Sequence, residues 1–114
     1  MARMTLARVR DLQIGYDEFG RGTPVLLIMG FGAQRVLWDD EFCEMLAGHG
    51  LRVIRFDNRD VGESSRMDEL GVPNIREYFV RSMLGLRIPT PPYRLEDMAL
   101  DAVGLLDHLR IDRA

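Results

Sequence analysis

The hydrophobic pattern at the start of the chain predicts strands. Within residues 5–19, Leu12, Ile14 and Tyr16 alternate with polar or small residues, which is the period of a strand buried on one face. Glycine and proline then interrupt the chain, and residues 25–29 form a continuous apolar run. Such a run is typical of a central strand covered on both faces. We therefore predict an N-terminal hairpin of two short strands, followed by a central strand.

A helix and a further strand are predicted next. Acidic residues from Asp39 onward suit the positive end of a helix, and Gly50 suits its left-handed C-cap. Residues 51–56 have the composition of a strand. A strand, a helix and a strand within about 30 residues form a βαβ unit, so the strands at 25–29 and 51–56 should be parallel. The apolar face of the helix is predicted to comprise Trp38, Phe42, Met45 and Leu46.

The rest of the chain predicts a polar loop and two helices. Residues 57–66 form the loop at the carboxyl end of the second parallel strand, and apolar residues between 75 and 86 indicate a helix. A proline-rich piece at 88–92 closes it, and a last helix is predicted over 95–109. We expect a single α/β domain over residues 1–114. The predicted apolar stripe of the last helix is Leu95, Met98, Ala99, Ala102, Val103, Leu106 and Leu109.

Composition excludes several classes of function. Fifteen cations and 18 anions are spread without a basic block, which argues against a nucleic-acid partner. No apolar run approaches the roughly 20 residues of a membrane span, and no secretory signal is visible, so we expect a cytoplasmic protein without a membrane partner. All the cations are arginine, which excludes a Schiff-base lysine and a Walker A lysine.

The cysteine and histidines favour structural roles. Cys43 borders the predicted apolar helix face and is interpreted as a buried thiol. His49 and His108 fall in the last turns of predicted helices, where a cation suits the helix dipole. The acidic residues 39–44 fit a solvated helix start better than a metal site. We therefore expect neither a metal nor a cofactor.

The turn Gly30-Phe31-Gly32-Ala33 is the first candidate for chemistry. A turn that leaves the carboxyl end of a buried strand points backbone N–H groups into the crevice where α/β sheets bind ligands, and such donors stabilise an oxyanion. A tight turn without a ligand is the alternative. A dinucleotide fingerprint fits poorly, because Arg35 stands where the third glycine belongs and the helix starts late.

The polar loop at 57–66 is the second candidate. Ser64 is not a nucleophile in a G-x-S-x-G elbow, because Arg66 occupies the place of the last glycine. Arg59 at the third loop position argues against an EF-hand. The favoured interpretation is that Asp57 and Asn58 cap a turn.

Four stretches together resemble the N-terminal part of the α/β-hydrolase fold, in particular its esterase-like branch, the aclacinomycin methylesterase-like hydrolases. They are residues 15–20, 24–32, 52–65 and 93–109. The resemblance implies an incomplete α/β-hydrolase sheet of about four strands, with the hairpin followed by the βαβ unit and further helices. It also implies a serine-type hydrolase acting on a carboxylic ester or similar acyl substrate.

The resemblance assigns roles near the first glycine-rich turn. It makes the backbone N–H of Phe31 the oxyanion donor and places Gly30 and Gly32 at the substrate. Met29 stands where the family often has histidine. Residues 57–65 would border the pocket and 67–92 would lie near its mouth.

The same resemblance places the serine, the acid and the histidine of the triad beyond Ala114, so we expect this chain to be inactive alone. Two other functions stay open. One is a non-catalytic fragment that associates with another chain or with itself through an unpaired sheet edge. The other is a nicotinamide dinucleotide-binding module.

Overall fold

The sheet and its helices follow the predicted order. The structure is a computed structural model that describes residues 4–30, 33–65, 75–87 and 94–114. The predicted segment at 88–92, residues 66–74, Phe31 and Gly32 lie outside the described residues. A 3₁₀ turn at Arg35–Leu37 precedes the first helix. The strands are β1 (Thr5–Val9), β2 (Leu12–Phe19), β3 (Thr23–Leu27) and β4 (Leu51–Phe56), and the helices are α1 (Asp40–Ala47), α2 (Ile75–Met83) and α3 (Leu95–His108).

The four strands form one mixed sheet in the order β1-β2-β4-β3. β1 and β2 pair as the predicted antiparallel hairpin, and β2 pairs antiparallel with β4. β3 and β4 are parallel, with Val25 opposite Val53, so the predicted βαβ unit is confirmed. Because β3 and β4 run in the same direction, the segments that follow them leave the sheet at the same end, the carboxyl ends of the two strands.

The predicted central position of the 25–29 run is wrong for this chain. β3 ends at Leu27 and occupies an edge of the sheet formed by the described residues. Its side chains are half-buried from Pro24 to Leu27, and Ile28 is 56% exposed. The composition of the run is that of a strand covered on both faces. In the described part of the chain it lies at the edge, with β4 as its one neighbour.

The two faces of the sheet are covered by different helices. α3 packs against β1, and its side of the sheet buries Ile14, Ile54, Phe56 and Leu105 in one apolar cluster. α1 packs against β4 and β2, and its side buries a smaller cluster: Phe19, Cys43 and Val53, with Trp38, Leu46 and Ala47 half-buried around them. This is the alternation of a sheet between two helical layers, since successive residues of a strand point to opposite faces.

The apolar face predicted for α1 is only partly correct. Leu46 packs against the sheet as predicted, but Phe42 and Met45 are exposed. Cys43 is completely buried instead. The core-facing stripe is therefore rotated by about one residue from the predicted one, since one residue corresponds to about 100° around a helix.

The stripe predicted for α3 is also only partly correct. Ala102 is buried, and Leu106 and Leu109 pack on the same cluster, but Leu95, Ala99 and Val103 are exposed. The buried positions include Leu105 and, unexpectedly, Asp101. The stripe missed Asp101 because an apolar periodicity cannot register a charged residue whose burial depends on a distant partner.

That partner is Arg59. Its Nε donates to Asp101 Oδ2 at 2.7 Å and its Nη2 donates to Oδ1 at 2.9 Å, so the pair is bidentate. Arg10 Nη1 lies 3.7 Å from the same carboxylate. The Arg59–Asp101 pair ties the loop after β4 to the middle of α3.

The turn between β2 and β3 depends on a glycine. Gly22 has φ +125°, and a Cβ built there would lie 2.0 Å from the carbonyl oxygen of Gly50. Gly50 also has a positive φ, +79°, but a Cβ there would meet nothing within 4 Å.

Among the helices of the described residues, none is long and apolar enough to cross a membrane.

These two glycines allow strain and steric overlap to be separated. We expect Gly50→Ala to lower the free energy of unfolding by about 1 kcal/mol, because it adds left-handed strain alone. Gly22→Ala should cost at least about 2 kcal/mol, because its Cβ also collides with backbone. Urea denaturation followed by circular dichroism measures both, and equal losses would contradict the predicted overlap.

The Arg59–Asp101 pair gives a second prediction. Arg59→Met should lower the free energy of unfolding by about 3–5 kcal/mol, because it leaves the buried Asp101 carboxylate without its main partner. Arg81→Met is the control, since it breaks an exposed pair with Glu77 and should cost under about 0.5 kcal/mol. Replacing both members, as Arg59→Met with Asp101→Leu, should recover part of the loss. Equal denaturation midpoints for the two single variants would refute this assignment.

Candidate functional site

The site lies where β3 and β4 end. Residues 28–30 follow β3 and residues 57–58 follow β4, both at the carboxyl ends of these parallel strands. The side chain of Asn58 donates from Nδ2 to the carbonyl oxygen of Met29 at 3.1 Å. Ala33 N donates to the carbonyl oxygen of Gly30 at 3.2 Å, which closes a turn. Asn58 therefore fixes the point at which the turn begins.

Arg35 and Asp57 fix the point at which the turn ends. The backbone N–H of Arg35 donates to Asp57 Oδ1 at 2.7 Å, and its Nη1 donates to Asp57 Oδ2 at 2.6 Å. Asp57 is fully buried and the side chain of Arg35 is nearly so. In the sequence, Arg35 stands out only as a defect in a dinucleotide fingerprint, and this role was not predicted. A signal was present, since an arginine between a glycine-rich turn and a helix needs a partner if it is buried.

Arg35 also joins a larger network of buried charge. Its Nε lies 3.4 Å from Asp17 Oδ2, and Asp17 in turn accepts two hydrogen bonds from Arg55. Arg55 Nη2 lies 2.7 Å from Asp40 Oδ1, at the start of α1. Burial acts to lower the pKa of Arg55, but hydrogen bonds to Asp17 and Asp40 and their charges raise it above its ordinary value. The alternating charges compensate one another in the core.

The loop at 57–65 is closed by its own polar groups. Asp57 Oδ2 accepts a hydrogen bond from Glu63 N at 3.0 Å, so Asp57 caps the loop as predicted. Ser64 is buried, donates to the carbonyl oxygen of Asp57 at 2.5 Å and accepts from Gly15 N at 3.0 Å. Both interactions are structural, and the interpretation that Ser64 is not a nucleophile stays a prediction.

A cavity of about 290 Å³ opens beside the turn. Its walls come from the end of β3, from the loop after β4 and from the N-terminal half of α3. Asn58 is the polar side chain among its lining residues, which otherwise are apolar or glycine: Ile28, Met29, Gly30, Leu95, Met98, Ala99 and Ala102. An apolar concavity with few polar groups is the usual form of a small-molecule site.

Gly30 is the predicted site residue that the structure places at this cavity. The other two, Phe31 and Gly32, lie outside the described residues. The predicted donor role of the Phe31 amide therefore stays a prediction.

The remaining candidates lie elsewhere. Cys43, on the side of α1 that faces the sheet, is buried as predicted, and burial raises the pKa of its thiol. His49 is exposed and lies beyond the end of α1 at Ala47, so its predicted place in the last helical turn is wrong. His108 is exposed in the last turn of α3, as predicted. In the part of the chain that the structure describes, no group of His, Cys, Asp and Glu side chains could hold a metal ion.

The dinucleotide alternative fits the geometry poorly. The segment after Gly30 enters a 3₁₀ turn, and α1 begins at Asp40 with a second acidic residue, Glu41, in its first turn. A pyrophosphate at the N-terminus of α1 would meet negative charge. Arg35, which stands in place of the third glycine, forms ion pairs with Asp17 and Asp57.

Comparison with known proteins gives relatives among esterases. No family model matches the sequence. The chain is 35% identical over 91 residues to rhodomycin D methylesterase from Streptomyces sp. (strain C5) and 34% identical over 91 residues to the same enzyme from Streptomyces peucetius. Each match covers 80% of this chain and 24% of the relative. The matched part thus spans about a quarter of the length of these relatives.

Solved structures with the same fold are epoxide hydrolases. The enzyme from Vigna radiata matches 96% of this chain with a TM-score of 0.69 and 20% identity, over 29% of its own chain. A variant of the Solanum tuberosum enzyme matches 96% of this chain with a TM-score of 0.67 and 21% identity, over 28% of its own chain. At this identity the likeness concerns the fold alone. The four-stranded mixed sheet is an incomplete α/β-hydrolase sheet, and over 80% of its length the chain is a homologue of α/β-hydrolase methylesterases.

Proposed function

We propose that this chain is the N-terminal portion of a serine-type α/β hydrolase that acts on a carboxylic ester or a similar acyl substrate. It would supply the oxyanion hole and part of the pocket wall. The observation that carries the proposal is the turn after β3, which begins at a hydrogen bond from Asn58, ends at two from Arg35 to Asp57, and borders an apolar cavity.

The chemistry follows from the position of the turn. When a hydroxyl attacks an ester carbonyl, negative charge develops on the carbonyl oxygen, and a fixed backbone N–H stabilises it without reorganisation. In the proposal this donor is the amide of Phe31, with Gly30 and Gly32 allowing the substrate close to the backbone. A donor held in advance is more effective than one that must be ordered during the reaction.

The cavity suits the apolar part of such a substrate. Its volume of about 290 Å³ lies at the small end of ligand sites, which favours one ring or a short acyl chain. The nucleophile, its base and the orienting acid would come from polypeptide outside these 114 residues, so the chain by itself should bind without turning over.

A chimera tests the proposed donor. In it, this chain replaces the matched quarter of the Streptomyces sp. (strain C5) methylesterase, and hydrolysis of the rhodomycin D methyl ester is measured. Phe31→Pro removes the amide hydrogen and should lower kcat by about 10²–10³-fold. Phe31→Ala keeps the amide and is the matched control. A Phe31→Pro chimera that folds and hydrolyses the ester as fast as the Phe31→Ala chimera would exclude this amide as the donor.

The isolated chain gives a simpler prediction. Residues 1–114 should hydrolyse p-nitrophenyl acetate only at the small background rate due to exposed imidazole. Apart from that background, the chain should be no faster than a variant with His49→Gln and His108→Gln. Ultraviolet-visible spectroscopy at 405 nm would follow product release. Turnover that is abolished by a fluorophosphonate probe would overturn the proposal that the nucleophile lies elsewhere.

A second candidate is self-association through β3. It is favoured by the edge position of β3 and by exposed apolar side chains beside it, Ile28 at 56% and Leu95 at 79%. A second copy of the chain is the proposed occupant, because two β3 edges related by a twofold axis would join two four-stranded sheets into one.

Light scattering after size-exclusion chromatography tests this candidate. The chain should elute as a dimer, and Ile28→Lys, which puts a charge beside the edge, should shift it toward the monomer. Leu6→Lys, at an exposed position of the opposite edge strand β1, should leave the dimer intact. A monomer at all concentrations, or equal effects of the two substitutions, would exclude association through β3.

A further inference from the structure

We propose that Arg35 and Asp57 form a latch that holds the C-terminal end of the turn after β3 against the end of β4, which makes Arg35 a positioning residue for the oxyanion donor. The inference rests on the proposed function for its catalytic meaning. Its structural part, the dependence of the turn on one ion pair, stands on the geometry alone.

The first step is the way in which the turn is closed. Its two ends are held by adjacent residues, Asn58 at the carbonyl oxygen of Met29 and Asp57 at the backbone and guanidinium of Arg35. Two consecutive side chains after β4 thus hold the two described ends of the turn, at Met29 and at Arg35. Because both ends are held, the turn has less conformational entropy to lose when it becomes ordered.

The second step is the absence of an apolar anchor in the 3₁₀ turn. Of its three residues, Arg35 is buried, whereas Val36 and Leu37 are 52% and 66% exposed. Burial of apolar surface, which positions most segments of a fold, therefore contributes little at these two positions. The polar contacts of Arg35 therefore attach this end of the turn to the end of β4.

The third step is the choice of arginine. A guanidinium has several N–H donors in a fixed plane, and Arg35 directs Nη1 to Asp57 and Nε toward Asp17. A lysine has one charged nitrogen, so it can replace one of these contacts but not both at their present geometry. Asp17 and Asp57 also have other partners, in Arg55 and in Glu63 N. Loss of the Arg35 side chain should therefore loosen the turn more than it disturbs the sheet.

Amide hydrogen exchange on the intact chain tests the latch. The readout is the exchange rate of Ala33 N–H, which closes the turn on Gly30, relative to that of Ile14 N–H in the β1–β2 hairpin. Arg35→Met should raise this ratio at least tenfold, and Arg35→Lys should raise it less. Arg52→Met is the matched control, because it removes an arginine–carboxylate pair with Glu18 near the opposite end of β4, and it should leave the ratio unchanged.

The outcomes separate positioning from general stability. A ratio that is unchanged in Arg35→Met, or raised equally by Arg52→Met, would overturn the latch. If Arg35→Met does not fold, Arg35→Lys decides the question, since the latch requires a ratio above that of the native chain. Exchange does not depend on hydrolysis, so a failure of the Phe31→Pro chimera would refute the proposed function and leave the latch standing.

The chimera connects the latch to chemistry. Arg35→Met in the chimera should lower kcat about tenfold with little change in KM, because a misplaced donor weakens the transition state more than substrate binding. Arg35→Lys should recover part of the loss. If KM changed by as large a factor as kcat in these variants, a positioning role would be contradicted.

Discussion

The buried pairing of arginine and aspartate is the constraint on which the site depends. Asp17 on β2, Arg55 on β4, Arg35 after β3 and Asp57 after β4 lie in one chain of alternating charge with side chains no more than 9% exposed. Removing such charges from water costs several kcal/mol for each ion, and only close partners with good geometry offset that cost. The arrangement is therefore demanding: each group fixes its neighbours, and the segment that leaves β3 has to pass Asp57 before α1 begins.

Three consecutive residues after β4 organise both walls of the cavity. Asp57 holds Arg35, Asn58 holds the carbonyl oxygen of Met29, and Arg59 holds Asp101 on α3. The turn and the helix are thus both attached to the same short segment. β4 lies between β2 and β3, with Val53, Ile54 and Phe56 fully buried. The most constrained strand of the sheet thus positions the less constrained parts of the site, and rigid elements hold functional geometry better than loops.

Periodicity predicted the elements, but it could not predict the pairs of charges. Alternation in β2 and the spacing of apolar residues in α1 and α3 follow from local geometry, which a single sequence records. Arg35 and Asp57 are 22 residues apart, and Arg59 and Asp101 are 42 apart, so their pairing depends on the tertiary fold. For the same reason, the burial of Asp101 on α3 could not be predicted from periodicity. The cavity could be anticipated only as the crevice expected at the carboxyl ends of parallel strands.

The edge position of β3 is compatible with a working turn, because the two occupy different stretches of the chain. β3 pairs with β4 from Thr23 to Leu27, whereas the turn begins at Met29 and Gly30. Another strand could hydrogen-bond to the free edge of β3 along its length without reaching the turn, since each strand residue advances by about 3.3 Å. Ile28 lies between the two regions, exposed and at the cavity wall. A side chain in that position can contact both a neighbouring strand and a ligand in the cavity, so a strand that covered the sheet edge would also alter the wall of the cavity at Ile28.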